Sequence, residues 1–273
     1  MKKYFIPLIL LLAASVSCKK HYDTPQPQPS LPLDDVRTVL LKEVVAQSLP
    51  NPYFHFTYDN QQYVKQINFA SGLFIYNVEY ENKRVKKMTN IQNDNSILYS
   101  YNNNQVSEIN EFSGGTGNKA FMYRFTYNSG NQLTEVLWFE FSANPTGNLF
   151  KKAALTYHAD GNLSTIEHYY NISGTQLTLE KTDKFSNYDN KINVDDFYLM
   201  KDFFDTYLFL PQEKLQKNNP LKQQITGVKN DYEISYTFQY QNNLPVKKTG
   251  MMRQTRGTST GQSLQIINQF NYY

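Results

Sequence analysis

The chain has 273 residues, of which 15% are aromatic and 19% charged, and its formal net charge is +3. A polytopic helical membrane protein is excluded, because it would need several apolar runs of about 20 residues. The 22 Tyr and 18 Phe provide enough apolar surface to exclude a chain that is disordered throughout. The nearly balanced charge argues against a protein dedicated to nucleic-acid binding.

Residues 1–17 have the organisation of a signal peptide. Lys2 and Lys3 precede an apolar run over residues 5–14, which is too short to span a bilayer. Small residues stand directly before Cys18, and this pattern resembles the lipobox of bacterial lipoproteins. The resemblance implies cleavage before Cys18, lipidation of that residue and, because Lys19 rather than Asp comes next, anchoring in the outer membrane. The alternative is an ordinary signal peptide that leaves a free exported thiol.

Residues 18–33 are predicted to be the lipidated cysteine followed by a tether. Pro25, Pro27 and Pro29 alternate with polar residues, a composition that favours an extended polyproline II segment. The tether leads to one predicted domain over residues 34–273. Cys18 is the only cysteine, so no disulfide stabilises this domain and its core must do so.

Residues 34–273 contain an internal repeat. Each copy has an aromatic or aliphatic residue, one further residue, a tyrosine, a polar turn, and then two aliphatic residues three positions apart. Clear copies begin at Phe56, Val78, Tyr99, Phe125 and Leu155, weaker copies lie near Tyr188 and Tyr240, and the chain ends on half a copy at Phe270-Asn271-Tyr272. The repeat predicts a succession of β-hairpins in which the tyrosine has a structural role.

The turn residues predict the register of the hairpins. A two-residue loop at Asn82-Lys83 places Tyr80 opposite Val85, and Gly161 suits the left-handed position of a three-residue loop. Val85 and Met88 are three positions apart, so strict alternation would put them on opposite faces of the sheet. A bulge after the turn would return both to one face. The sequence leaves these two arrangements open.

The remaining elements complete an all-β prediction. The segment 39–45 matches the second half of the repeat and is predicted to be the first strand. A short helix is predicted near 194–205, with Asn193 as its cap, followed by a loop from 208 to 220. Strands resume near Leu221. We expect about fifteen antiparallel strands in a single rolled sheet.

The repeats resemble the YD repeats of Rhs-type proteins, most closely over residues 157–166. The order of lipobox, tether, hairpins and the late segments 187–193 and 218–220 is similar to the DUF4595-like bacterial lipoproteins, a family of unknown function. This resemblance covers about residues 35–273 and implies a porin-like, partly closed barrel without implying any chemistry. Strands such as Val85-Lys86-Lys87-Met88 fit a lipid-facing barrel poorly, so we expect the barrel to lie outside the bilayer.

Motifs with a catalytic spacing are missing from the sequence, and we predict that the protein is not an enzyme and holds no cofactor or metal. His158 and His168 are expected to be exposed strand residues without metal-ligand spacing. Asp195 and Asp196 are interpreted as first-turn acids of the short helix. An enzyme would need a site assembled from scattered residues.

The favoured function is a monomeric binding or scaffold module that is presented from the outer membrane to an envelope protein partner. The alternative is glycan binding. Trp138, Phe139 and Phe141 are expected on one strand, with Tyr169 and Tyr170 on the next, and such aromatic platforms suit sugars. Core or edge packing is the favoured interpretation of Trp138 and its neighbours. Whether the protein faces the cell surface or the periplasm stays open.

Overall fold

Sixteen strands occur in the computed structural model, within the residues that it describes, which are 39–142, 144–171, 176–196 and 208–273. In chain order they are β1 Leu41–Ala46, β2 Phe54–Tyr58, β3 Val64–Phe69, β4 Phe74–Glu81, β5 Arg84–Asn90, β6 Ser96–Asn102, β7 Gln105–Phe112, β8 Lys119–Tyr127, β9 Leu133–Glu140, β10 Asn148–Tyr157, β11 Leu163–Tyr170, β12 Thr178–Ile192, β13 Asn218–Gly227, β14 Asp231–Gln241, β15 Leu244–Arg256 and β16 Ser263–Tyr272. A short 3-10 turn at Ala70–Gly72 joins β3 to β4.

Each strand pairs antiparallel with its neighbours along the chain, and β1 pairs with β16 to close the sheet into a barrel. The predicted all-β fold with a single rolled antiparallel sheet is therefore confirmed, and the first predicted strand is β1. Most of the helix predicted near 194–205 falls on residues 197–207, outside the described residues. Within the described residues, no helix has the length and apolarity to cross a membrane.

The hairpin register agrees with the prediction, and a bulge in each clear copy settles the open question about the aliphatic pair. Tyr80 pairs with Val85 while Glu79 pairs with Lys87, so one extra residue stands after the turn. Both Val85 and Met88 are consequently directed inward, and both are fully buried. The same register shift occurs at Tyr58, Tyr101, Tyr127 and Tyr157.

The turns also have the predicted backbone conformation. Asn82 and Lys83 have φ angles of 52° and 64°, which are the positive values that a two-residue hairpin loop of this type needs. Gly161 has a φ of 84° in its three-residue loop. Because alternate hairpins point the same way, the repeat turns all lie at one end of the barrel, which we call the turn end.

The barrel closes by completing a split repeat. The half copy at the end of the chain supplies Tyr272, and β1 supplies the aliphatic residues Leu41 and Val44. Tyr272 pairs with Leu41, and a register shift occurs directly after Leu41. This is the register of Tyr80 and Val85, formed between the two ends of the domain instead of across a turn.

The repeat tyrosines connect neighbouring hairpins, a role beyond the pairing that the sequence predicts. The hydroxyl of Tyr101 donates to the carbonyl of Val85 at 2.7 Å, and that of Tyr157 donates to the carbonyl of Leu133 at 2.8 Å. In both cases the acceptor is the first aliphatic residue of the preceding hairpin. Each such hydrogen bond contributes about 1 kcal/mol.

Residues 208–217 form no helix or strand, as predicted for this loop, and they cover the interior at the turn end. Leu208, Leu210 and Leu215 belong to the hydrophobic core. The hydroxyl of Tyr99 donates to the carbonyl of Phe209 at 2.9 Å, which fixes the segment against β6. The compact unit extends from Asp35 to Tyr273 and contains both the core and the closing strand pair.

Candidate functional site

The inward side chains of the barrel are more completely buried on one side than on the other. Inward side chains such as Ile67, Val85 and Ile166 are 0% exposed. On β14 the inward positions carry four aromatic residues and Ile234, and the aromatic residues are only half-buried. These aromatic side chains are therefore less completely buried than the inward aliphatic residues of the clear repeats, and we call the inner face of β13, β14 and β15 the open wall.

Three aromatic side chains of the open wall form a row along β14. Tyr236, Phe238 and Tyr240 occupy alternate positions, while the residues between them are exposed on the outer face. The rings of Phe238 and Tyr240 are stacked, with their centroids 5.9 Å apart and an angle of 21° between their planes. Such a row presents a flat apolar surface with hydroxyl groups along it.

A series of hydrogen-bonded polar side chains lies beside this row and runs across neighbouring strands from β11 to β14. His168 Nε2 lies 2.8 Å from Asp183 Oδ2, and Gln223 Nε2 donates to Asp183 Oδ1 at 2.9 Å. The hydroxyl of Tyr236 donates to Gln223 Oε1 at 2.6 Å. We call these four residues the polar chain.

The polar chain is buried at the end that faces β11. His168 is 4% exposed, so the prediction that it is an exposed strand residue is wrong, whereas His158 is exposed as predicted. Burial raises the pKa of Asp183, but the hydrogen bond from His168 and the charge of Lys181, 3.0 Å away, outweigh it and hold that pKa below its usual range. Asp183 is therefore ionised inside the barrel, and its negative charge is stabilised by the hydrogen bond from His168 and by the charge of Lys181.

Lys248 on β15 extends the polar features of the open wall. Its ammonium group lies 4.6 Å from the centroid of the Tyr236 ring and 2.8 Å from Asp195 Oδ2. The ring fits there because Gly250 has no side chain, since a Cβ at that position would lie 2.8 Å from a ring carbon of Tyr236. Aromatic, amide and ammonium groups thus meet at one place on the wall.

Asp195 and Asp196, interpreted from the sequence as first-turn acids, are both buried, and each is only 7% exposed. Asp196 Oδ1 accepts a hydrogen bond from the backbone N–H of Gln216 at 3.2 Å, which fastens the segment 208–217. Burial raises the pKa of Asp196 to about 6. Among the described residues, no three or more His, Cys, Asp or Glu side chains are grouped so that they could hold a metal ion.

The five aromatic residues predicted from the sequence do not share one surface. Trp138 is 3% exposed and packs inside the barrel against Tyr123, with their ring centroids 5.3 Å apart. Tyr170 is also directed inward, and the ammonium group of Lys151 lies 4.3 Å from the Trp138 ring and 4.7 Å from the Tyr170 ring. Cys18 is outside the described residues.

The other three predicted aromatic residues lie toward the outside, each beside a cation. Phe139 has the guanidinium of Arg124 5.2 Å from its ring centroid. Tyr169, on β11 and separated from β9 by β10, has Lys152 5.4 Å from its ring. Phe141, just past the end of β9, has Lys119 5.1 Å from its ring.

A second buried acid lies in the packed part of the interior. Glu111 on β7 is 9% exposed and accepts a hydrogen bond from Tyr123, while its Oε2 has no partner among the described residues. Burial raises the pKa of Glu111 from its ordinary value of 4.5 to about 7. The folded protein therefore holds a proton on Glu111 over a pH range in which the unfolded chain has lost it.

This raised pKa predicts that the barrel is less stable at pH 8 than at pH 5. Between about pH 4.5 and 7 the folded state binds more protons, so the free energy of unfolding falls as pH rises. Glu111 accounts for about 3 kcal/mol of this decrease. Urea unfolding of wild type and Glu111→Gln at both pH values measures it, with Glu79→Gln on the exposed outer face as the control. The raised pKa of Asp196 also lowers stability as pH rises, so the Glu111→Gln variant should still lose some stability between pH 5 and pH 8, but less than the wild type. A loss of stability in Glu111→Gln equal to that of the wild type would contradict the prediction.

The sequence contained a signal for the open wall that the repeat pattern does not include. From Tyr232 to Gln241, aromatic or aliphatic residues alternate with polar ones without interruption, and four of the five inward residues are aromatic. This alternation predicts which face points inward. It does not predict that the inward aromatic residues are only partly buried, because that depends on the strands across the barrel.

The scan against protein-family models and the search of curated proteins found no match to the chain. Among solved structures, the chain is similar to a porin-like protein of Bacteroides uniformis, with a TM-score of 0.60, 14% identity, and coverage of 86% of this chain and 96% of that one. It is also similar to a porin-like protein of Bacteroides vulgatus, with a TM-score of 0.56, 13% identity, and coverage of 86% and 99%. These likenesses show that the chain has the porin-like all-β fold.

Proposed function

We propose that this chain is a lipid-anchored, non-enzymatic binding protein of the bacterial outer membrane that binds a carbohydrate on the open wall inside its barrel. The observation that carries the proposal is the half-exposed aromatic row of Tyr236, Phe238 and Tyr240. Binding sites for small molecules are concave and largely apolar, with a few polar groups that fix orientation. The open wall is the inner, concave face of a barrel, and it combines the apolar rings of this row with a few polar groups.

The groups beside the row suit the hydroxyl groups of a sugar. A pyranose ring has apolar C–H faces that stack on aromatic rings and a rim of hydroxyl groups that need donors and acceptors. Gln223 and Lys248 lie on the two strands that flank β14, so polar groups edge the row on both sides. The site we propose differs from the sequence-based candidate at Trp138, which is core.

The location in the proposal depends on the lipobox at Cys18 and on the outward side chains of the barrel. On β13 the exposed positions are Lys222, Gln224 and Thr226, all of them polar. A strand facing lipid would instead carry apolar residues at these positions. Both features support a barrel that stands in water on a tether.

The binding proposal is tested by screening the unlipidated chain 19–273 against an array of bacterial, plant and host glycans. We expect binding to at least one glycan class and at least a tenfold loss of affinity in Phe238→Ala. Phe139→Ala is the matched control, because it removes a half-buried phenylalanine from the outer side. Failure to bind any glycan would contradict the proposal, as would a loss confined to Phe139→Ala.

Protease treatment of intact cells, with permeabilised cells as control, tests the location. Loss of the full-length protein from intact cells would place the barrel on the surface, where external glycans reach it. Protection until permeabilisation would place it in the periplasm and restrict the ligand to carbohydrates that enter or are made there. Release into the soluble fraction without any membrane association would contradict the lipid anchor.

A further inference from the structure

The open wall changes its chemistry along the barrel axis. Directly beyond Tyr236, away from the turn end, the next inward side chains on β14 and β15 are the apolar Ile234 and Met252, and Tyr232 and Gln254 follow them. Ile234 pairs with Met252 across β14 and β15, and Met252 pairs with Leu264 across β15 and β16. Ile266 stands opposite Gly250, next to this line. We call Ile234, Met252, Leu264 and Ile266 the aliphatic row.

The inward direction of the aliphatic row is established by its contacts. A Cβ on Gly250 would lie 3.3 Å from the Cγ2 of Ile234 and 2.8 Å from the Tyr236 ring, so these side chains share the face that carries the polar chain. Met252 is two positions from Gly250 and has the same orientation. Met251 points to the opposite, outer face and is 47% exposed.

The aliphatic row becomes more exposed from β14 to β16. Ile234 is 5% exposed, Met252 is intermediate, and Leu264 is 58% exposed. Apolar surface in contact with water is unfavourable, and a ligand that covers it is stabilised in proportion to the area covered. An exposed aliphatic row on the inner side of a closed barrel is therefore available to an apolar group that enters the barrel.

The position of the row beside the polar groups indicates what kind of molecule would cover it. Tyr236 is the boundary, with its hydroxyl on Gln223 and the ammonium group of Lys248 near its ring on one side, and Ile234 on the other. A ligand that contacts both parts needs a polar head and an apolar chain in the same molecule. The curved inner side of a barrel suits a thin alkyl chain better than a folded protein surface.

We infer that the ligand is a sugar-bearing amphiphile of the glycolipid class, whose alkyl chain lies along the aliphatic row while its head lies on the aromatic row. This inference rests on the proposed carbohydrate site and adds a second subsite to it. The head is held by Phe238 and its polar neighbours, and the chain is held by Met252 and Leu264. The contacts of the alkyl chain with Met252 and Leu264 do not depend on which sugar forms the head.

The test uses the fluorescent apolar dye N-phenyl-1-naphthylamine with the unlipidated chain 19–273, and then displaces the dye with hexyl, octyl and decyl β-glucosides below their micelle concentrations. We expect saturable dye binding, and displacement that improves about fourfold for each added methylene. Met252→Gln should weaken dye binding at least tenfold. Met251→Gln, its outward-facing neighbour, should leave dye binding unchanged.

Leu264→Gln provides a second variant, because an exposed side chain can be replaced without loss of folding, and it should also weaken dye binding. Dye binding that is absent, or equally weakened by Met251→Gln and Met252→Gln, would overturn the inference. If glycans bind through Phe238 but the dye does not bind, the aliphatic subsite is refuted and the carbohydrate site stands. If the dye binds through Met252 and no glycan binds, the carbohydrate site is refuted and the apolar subsite alone stands.

Discussion

Removing the last four residues, 270–273, is expected to unfold the barrel. These residues carry the half repeat that β1 completes, and their loss removes the pairs of Leu41, Glu43 and Val44 with β16, while Val45 and Ala46 keep theirs and β15 stays paired with β16. Phe270 is 2% exposed, and the hydroxyl of Tyr272 donates to the carbonyl of Pro245 at 2.6 Å. Tyr273 adds a backbone hydrogen bond to Leu40. The deletion therefore removes core packing together with part of the pairing that closes the sheet.

The loss of a buried phenylalanine and of strand pairing together is expected to be comparable with the stability of a whole domain. Removal of a buried phenylalanine side chain alone costs about 3–5 kcal/mol, and whole domains are stable by only about 5–15 kcal/mol. Urea unfolding followed by circular dichroism should show no cooperative transition for the truncated chain. The control is Asn271→Ala, which removes one exposed side-chain hydrogen bond to Glu43 and should change stability by less than about 0.5 kcal/mol. A truncated chain with the wild-type midpoint would show that β1 and β16 do not hold the barrel closed.

Asp183→Ala is expected to be the most damaging single substitution in the polar chain. It leaves the ring of His168, the amide of Gln223 and the ammonium group of Lys181 without their shared acceptor inside the barrel. Breaking a buried charged network by removing one partner costs about 3–5 kcal/mol, because the other groups stay buried. The midpoint of urea unfolding at pH 7 measures this loss.

Asp231→Ala is the matched control for this substitution. Asp231 forms an ion pair with Arg256 at 2.7 Å on a more exposed part of the barrel, where such pairs contribute about 0–1 kcal/mol. If Asp183→Ala and Asp231→Ala lower the free energy of unfolding equally, the burial of Asp183 does not increase its contribution to stability. The double variant His168→Leu, Asp183→Leu should recover part of the stability, because it removes the buried polar groups together.

The two halves of the interior suggest a division between stability and binding. The packed part contains the aliphatic pairs of the clear repeats, such as Val85 and Met88, which are fully buried. The open wall lies where the repeat is weak, around Tyr240, and there the inward aromatic residues are only partly buried. Regular repeats provide the core, and the irregular part of the barrel is where we place the ligand.

The candidate site was predictable only in part. The glycan hypothesis selected Trp138 because tryptophan and its neighbours Phe139 and Phe141 lie close together in the sequence. Strand alternation turns Trp138 into the core and Phe139 to the outside, so density along the chain did not correspond to a shared surface. His168 was misjudged because its partner Asp183 comes from the next strand, and a single strand gives no sign of that contact.

The sequence by itself determined the hairpins, because the spacing of tyrosine, turn and aliphatic residues is local information that a few residues encode. It also determined the half repeats at the two ends, since Leu41 and Val44 match the aliphatic pair after a turn and Tyr272 matches the tyrosine before one. Only the tertiary structure decided that these halves join, that a bulge turns both aliphatic residues inward, and that the inward aromatic residues of β14 stay partly buried. Each of these depends on contacts between residues far apart in the chain, which a local pattern cannot specify.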